Sequence, residues 1–337
     1  MKRWLALMLA AALLLSGCGI KQPETRQAVY LDVFDTVTTL SAVGLSERDF
    51  QQTAEKIHET LLHYHRLFDI YNDYEGLNNL KTVNDNAGLS PVAVDEEIIR
   101  LLLDCRDYYD LTDHGVNAAM GSVLRLWQET RTMALDNPEK AALPTDAALR
   151  AAAEHCGWDT VRIDQAASTV YLTDPEQSLD VGAIAKGWAA GKAAQLAPSG
   201  FLISVGGNVC ATGPKDEDTP WVVGVADPDG GEGYLRTLYD WDKAIVTSGD
   251  YQRYFELDGV RYHHIIDPQT LYPATRFRSV TVVCTDSGLA DALSTALFVL
   301  PLEEGKALAE KTGAEAMWLD AQGNLSETPG FSTYLAE

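Results

Sequence analysis

The run QRYFELDGVRYHHII, residues 252–266, reads as two β-strands joined at Asp258-Gly259. Asp-Gly supplies the positive φ angles that a two-residue hairpin turn demands, so the strands it joins run antiparallel. Further strand-like runs surround it: VRID (161–164), TVYLT (169–173), FLISV (201–205), WVVGVA (221–226), KAIVTS (243–248) and SVTVVCT (279–285). The N-terminal half reads differently. AVYLDVFDTVTTLSAVG (28–44) is β-rich and suits two short strands, but helical patterns follow. Ser46-Glu47-Arg48-Asp49 resembles a capping box with Asp in the acidic place, and Phe50, Ala54, Ile57, Leu61, Tyr64 and Phe68 then recur at helical spacing. Asp95 caps a helix ending near Gly115, VNAAMGSVLRLWQET (116–130) starts another, and Thr145 caps one running to about His155. Residues 69–90, rich in Asn, Asp and Gly, read as a long structured loop. Small residues over Ile184–Leu196 suit one helix set among the strands, and Leu289–Leu300 another. Such segregation predicts an α+β single domain of mostly antiparallel sheet with packed helices. The regular alternation of a doubly wound fold is absent.

The chain has 337 residues, 46% of them hydrophobic, enough for a full core. Its formal net charge of −23 argues against nucleic acid or anionic lipid as a partner. The same charge makes any phosphate ligand dependent on a local cation. At the N-terminus, MKRWLALMLAAALLLSGCG carries Lys2 and Arg3, then the apolar run Trp4–Leu15, then the lipobox Leu15-Ser16-Gly17-Cys18. That run is too short to span a bilayer. Residues 1–17 are therefore expected to be a signal peptide, and 18–27 a lipidated Cys18 with its tether. Residues 28–337 would form a domain anchored on the extracytoplasmic face of a bacterial envelope. Cys105, Cys156, Cys210 and Cys284 show no zinc spacing and suit buried free thiols, although spacing also leaves a disulfide open.

Four stretches could carry chemistry. In LDVGAIAKGWAAG (179–191), Asp180 ends a strand-like run, Val181-Gly182-Ala183 form a tight connection, and Lys186 falls in the first helical turn. Lysine there opposes the helix dipole unless an anion lies between, and free first-turn N–H groups with Lys186 would make an anion site. A packing helix with a snorkelling lysine is the plainer alternative. In ADALSTALFVL (290–300), Asp291 and Thr295 share one helical face among apolar neighbours. A buried carboxylate needs a partner. Carboxylate, hydroxyl and a main-chain carbonyl suit a hard cation such as Mg²⁺; an Asp bonded to backbone near a helix start is the alternative. In TSGDYQRYFELDGVRYHHIIDPQT (247–270), His263 and His264 point to opposite faces, and His264 could act as a general base. The commoner outcome for such a pair is one exposed ring and one satisfied in the core. In FLISVGGNVCATG (201–213), Gly206-Gly207 suggests a bulge or the close approach of a ligand. A solvated helix face explains His58, His63 and His65. Walker A, GxGxxG after a strand, and GxSxG are all absent from the sequence.

Together these segments resemble the ApbE family, the FAD:protein FMN transferases of the bacterial envelope. The family's DxGxxxKG pattern is matched by Asp180, Gly182, Lys186 and Gly187, and its GG break by Gly206-Gly207. Its TSG…HxIDP segment is matched by Thr247-Ser248-Gly249 and His264 to Pro268, and its late helix by Ala290–Leu297. Phe34-Asp35-Thr36, Tyr71, NNLKTVNDNAG (78–88) and GVNAAMGSVLRLW (115–127) add the N-terminal half. The resemblance implies a T-fold-like domain with flavin contacts at Phe34, Tyr71, Asn117, Ala118, Ala119, Asp180, Lys186 and Ile266. It places adenine- and phosphate-proximal loops near Gly206, Gly207 and Ser248, and a Mg²⁺ held by the Ala183 carbonyl, Asp291 and Thr295. FAD would be the substrate, a threonine hydroxyl of an envelope redox protein the acceptor, and AMP the leaving group, with His264 relaying the hydroxyl proton. An FAD pyrophosphatase and a non-catalytic FAD-binding lipoprotein are the alternatives on the same fold. Three departures stand out. Asn117-Ala118-Ala119 replaces Asp-x-Thr, which leaves backbone contacts to the flavin there. Leu271 replaces a Gly after DPxT, and Ser294 occupies a place that is acidic in some relatives.

Overall fold

The computed structural model describes residues 24–231 and 233–336. The expected signal peptide and Cys18 lie outside them. Strands β1 (Thr25–Val33) and β2 (Thr36–Val43) form the first hairpin. The last part of the expected tether is therefore strand: Thr25, Arg26 and Gln27 pair with Val43, Ala42 and Ser41. Helix α1 (Glu47–Phe68) follows, with Ser46 accepting from the Asp49 N–H and donating to the Asp49 carboxylate. The cap forms, but not the reciprocal half of a capping box, since the Asp49 carboxylate takes the Ser46 hydroxyl rather than its backbone N–H.

The loop expected over 69–90 contains a short helix, α2 (Leu80–Asp85), under a reciprocal cap between Asn79 and Thr82. Then come β3 (Val92–Ala93), α3 (Glu96–Leu111) capped by Asp95, α4 (Gly121–Asp136), and α5 (Asp146–Ala153) capped by Thr145. Helix α4 begins later than Val116 for a local reason. Asn117 Oδ1 accepts the Ala119 N–H at 2.9 Å, and the Gly121 N–H donates to the Ser178 carbonyl, so 116–120 is a turn fastened to another segment. Strands β4 (Val161–Asp164) and β5 (Thr169–Leu172) complete a three-stranded sheet with β3.

No strand ends at Asp180. That segment stays irregular because its backbone is held one group at a time. Asn84, on α2, accepts from the Leu179 N–H at 2.8 Å and donates to the Leu179 carbonyl at 3.0 Å, while the Asp180 N–H goes to the Ala118 carbonyl. Helix α6 (Ala185–Ala194) follows directly. The remaining strands are β6 (Phe201–Val205), β7 (Asn208–Ala211), β8 (Trp221–Ala226), β9 (Tyr234–Asp240), β10 (Ala244–Gly249), β11 (Tyr254–Leu257), β12 (Val260–His263) and β13 (Phe277–Cys284). Helices α7 (Ser287–Val299) and α8 (Leu302–Thr312) lead to β14 (Glu315–Asp320) and β15 (Leu325–Glu327).

The main sheet has eight strands in the order β1-β2-β6-β7-β10-β13-β14-β15, paired antiparallel throughout. The Asp258-Gly259 turn joins β11 to β12 as expected, in a separate two-stranded sheet. Helices α1, α6 and α7 supply the layer over the main sheet. Phe50 stacks on Phe201 at 5.8 Å, and Trp188 of α6 packs edge-on against Tyr64 and Phe68 of α1. Each fully buried side chain of this kind, such as Phe50, Ile57 or Leu61, stabilises by about 1.5–3 kcal/mol. Helix α7 is buried nearly all round, which fits its apolar composition. All four described cysteines are free thiols, and only Cys156 is partly exposed. Among the described residues, no helix is long and apolar enough to cross a membrane.

Candidate active site

A cleft of about 820 Å³ opens where α6, α7, the β1–β2 and β6–β7 turns and the His264 segment meet. At its base lies Asp291, 4% exposed. Gly187 makes this placement work. A Cβ there would lie 2.4 Å from the Ser287 carbonyl and 2.5 Å from Asp291 Cβ, so only glycine lets α7 approach α6 this closely. The approach brings Asp291 Oδ2 to 2.8 Å from the Gly187 N–H.

The anion at the start of α6 is thus, in part, the protein's own. The first-turn N–H groups expected to be free are not all free: Gly187 donates to Asp291, and Ile184 and Ala185 donate to the Val181 carbonyl. Lys186 Nζ lies 4.0 Å from Asp291 Oδ2 and donates to the Gly182 carbonyl at 3.3 Å. Even so, desolvation dominates and raises the Asp291 carboxyl above the usual range, against the pull of Lys186, Gly187 and Asn208. Asp180 behaves alike. Its carboxyl faces the cleft and accepts the Gly182 N–H at 2.8 Å, but desolvation outweighs that bond and the charges of Arg253 and Lys186. Thr295 and Ala183 line the same end.

The histidine pair differs in burial but not in the space it faces: β12 ends at His263, and both residues line the cleft, against the expectation from strand alternation. His263 is buried, with Nε2 bonded to the Ala274 carbonyl at 2.7 Å and Nδ1 accepting from the Ile265 N–H. His264 opens into the cleft. Desolvation by the cleft walls, then the charge of Arg253, pushes its pKa down to about 3. The ring is neutral at physiological pH. Asp267 is structural: its carboxylate accepts from the Gln269 N–H at 2.8 Å and shapes the turn after Ile266.

Phe34, Tyr71, Asn117, Asp180, Lys186, Gly206, Ser248 and Ile266 line the cleft as expected. Phe34 and Asp35 form the β1–β2 turn, both at φ 52°, a conformation that costs non-glycine residues about 1–3 kcal/mol each. Three residues expected at the ligand do not reach the cleft lining. Ala118 and Ala119 are core residues; the Ala118 carbonyl accepts the Asp180 N–H and the Ala119 N–H donates to Asn117. Gly207 lies on the outer side of a two-residue turn. Gly206 and Gly207, at φ 60° and 92°, join β6 to β7 tightly, so the pair is neither a bulge nor a break. Gly206 is needed at the inner position, where a Cβ would lie 2.6 Å from Thr36 Oγ1.

Two departures resolve. Leu271 adopts φ 65°, the left-handed conformation that glycine favours, and its carbonyl accepts from Trp127 Nε1 at 2.9 Å, so the turn keeps its shape. Ser294 is fully buried and bonded to Ser248 at 2.8 Å, so its hydroxyl braces β10.

Several lining residues escaped the sequence reading. His65 is not on a solvated face; its Nδ1 accepts from the Phe34 N–H at 3.2 Å at the cleft rim. Arg131 and Arg253 both line the cleft, and desolvation with the charge of Arg253 lowers the Arg131 pKa. Asn208, 3% exposed, has no well-formed hydrogen bond at Nδ2 although it lies near enough to Asp291 to lower its pKa. Gln128 donates to the Tyr71 hydroxyl. The i, i+4 spacing of Trp127 and Arg131 was the one available signal for Arg131; nothing local marked Asn208.

Fold and cleft define a single α+β domain that gathers a buried carboxylate, a lysine and a helix N-terminus around one ligand-sized space. The ApbE family model matches residues 34–318. A FAD:protein FMN transferase of Treponema pallidum is 38% identical over 260 residues, covering 71% of this chain and 70% of that protein. Its counterpart in Escherichia coli K12 is 28% identical, covering 97% and 96%. The crystal structure of an ApbE protein of Thermotoga maritima aligns with a TM-score of 0.83 at 31% identity, over 93% of this chain and all of that one. A mutant of the flavin transferase ApbE of Vibrio cholerae aligns at 0.76 and 26% identity, over 93% and 100%. The chain belongs to the ApbE family.

Proposed function

We propose that this protein transfers FMN from FAD to a threonine hydroxyl of an extracytoplasmic protein, forming a phosphodiester and releasing AMP. One observation carries the reading: Asp291, Lys186 and the start of α6 converge at the base of a cleft large enough for an extended ligand. The relatives named FAD:protein FMN transferase support the activity.

The residues fit a hard divalent cation. Asp291 is buried and desolvated, with one good hydrogen bond and one long ion pair, which leaves acceptor capacity for a cation. Among the described residues no three His, Cys, Asp or Glu side chains cluster as a metal site. The Asp291 carboxylate, the Thr295 hydroxyl and the Ala183 carbonyl, which line the same cleft, would hold Mg²⁺ with waters or phosphate oxygens completing its shell. When bound, such an ion supplies charge neutralisation at the phosphoryl oxygens. Lys186 would share the pyrophosphate charge, and Arg253 and Arg131 extend the positive wall toward Tyr71. Neutral His264 has a ring nitrogen free to accept the hydroxyl proton. Entry of an anionic substrate would raise its pKa toward a useful range. Positioning and charge balance dominate phosphoryl transfer of this kind. The lipobox at Cys18 supports an envelope address.

Incubation with FAD, Mg²⁺ and an acceptor bearing a target threonine tests the proposal. The expected result is a mass gain of one FMN unit on the acceptor, lost in Asp291→Ala while that variant stays folded. No gain on a validated acceptor contradicts the proposal. Release of FMN and AMP without acceptor would identify water as the acceptor instead.

A further inference from the structure

We propose that Lys186 is a stand-in cation that competes with a divalent ion for Asp291, so that metal and FAD bind cooperatively. The inference rests on the reading of the cleft as the FAD site. Lys186 Nζ lies 4.0 Å from Asp291 Oδ2 and is tethered to the Gly182 carbonyl across its own first turn. The Gly187 N–H, at the positive end of α6, already donates to the same oxygen. A divalent ion arriving here meets one carboxylate whose charge is already shared by a lysine and a helix end.

The surroundings sharpen the conflict. Asp180, the other carboxylate near Lys186, is offset by Arg253, which also bears on His264. No second acidic side chain is hydrogen-bonded to Asp291 among the described residues. Without substrate, the metal and Lys186 repel each other across Asp291. A pyrophosphate brings the missing negative charge, draws Lys186 from Asp291, and leaves that carboxylate to the metal. Coupling of this kind is reciprocal, so the metal must strengthen FAD binding by the same factor.

The test titrates Mn²⁺, a hard-ligand probe, into the full chain and reads free Mn²⁺ by electron paramagnetic resonance. Wild type is expected to bind Mn²⁺ at least about tenfold more tightly with saturating FAD than without. Lys186→Gln should bind Mn²⁺ alone about tenfold more tightly than wild type, with little further gain from FAD. Lys186→Arg, which keeps the charge, should behave as wild type; a merely structural role would not separate the two. The Lys186 side chain is 26% exposed, and Gln and Arg keep most of its length, so these substitutions change charge more than packing. Asp291→Asn should lose Mn²⁺ binding in every background. The proposal is overturned if Lys186→Gln binds Mn²⁺ alone no more tightly than wild type. It is overturned equally if Asp291→Asn retains the ion. Failure of FAD to bind wild type would strike the reading of the cleft instead, and the FAD-free comparison would still decide the competition at Asp291.

Discussion

At the residue scale, the groups that matter are those whose charge is poorly served by their surroundings. His264 is neutral above about pH 4, because desolvation and Arg253 hold its pKa near 3. The kcat/KM profile of the free enzyme should therefore show no ionisation of His264 between pH 6 and 8, and His264→Gln should not change its shape there. The same substitution should lower the rate of transfer by about 10²–10⁴ while leaving FAD affinity nearly intact, as loss of a proton acceptor requires. Unchanged turnover would remove His264 from the chemistry. Away from the cleft, Asp240 is fully buried, with Oδ1 accepting the Lys243 N–H and Oδ2 unpartnered among the described residues. Burial pushes its carboxyl up to about 6. Below about pH 4 both folded and unfolded states hold the proton and the stability is complete. Between about pH 4 and 6 only the folded state still holds it, so stability falls as pH rises, by up to about 3 kcal/mol. Chemical denaturation across this range should show that fall in wild type and a flatter profile in Asp240→Asn.

At the element scale, the cleft depends on helices that approach unusually closely and on a segment that lacks regular structure. Gly187→Ala places a methyl against the Ser287 carbonyl and Asp291, so it should cost about 1–3 kcal/mol and pull Asp291 from the Gly187 N–H. Equilibrium unfolding measures the first effect; no loss of stability would show that the helices have room to spare. Asn84→Ala removes both bonds that hold Leu179 and should cost about 1–3 kcal/mol, loosening Asp180 beside it. The sequence revealed α1, α3 and α7 well, because α1 and α3 bury an apolar stripe, α7 is apolar nearly all round, and all three carry side-chain caps. It could not reveal the segment around Asp180. There the apolar run mimics a strand, but its backbone partners are the Asn84 side chain and the turn at 116–121. Helix α2 hid for the opposite reason: its six residues hold only two apolar side chains, Leu80 and Val83, and the Asn79–Thr82 cap alone marks its start.

At the scale of the whole molecule, antiparallel pairing and the α+β class were legible from Asp258-Gly259 and the spacing of short strands. The order of the eight strands was not, since β2 pairs with β6 across every element from α1 to α6. The same limit applies to the cleft. Asp180, Lys186, Asp291 and Thr295 stood out because local motifs surround them. Asn208, Arg131 and His65 acquire meaning only when the sheet and helices bring them to one wall. The family resemblance also implied backbone contacts at Ala118 and Ala119, but folding gives the Ala118 carbonyl to the Asp180 N–H and the Ala119 N–H to Asn117. The central claim is that Asp291, Lys186 and the start of α6 are arranged for the phosphates of one dinucleotide. Its most direct test is a titration of FAD into the purified chain with Mg²⁺ present, followed by flavin fluorescence. Saturable binding of one FAD per chain, weakened about tenfold or more in Lys186→Ala, is the predicted result. Absence of saturable binding, or equal affinity in that variant, would contradict the account.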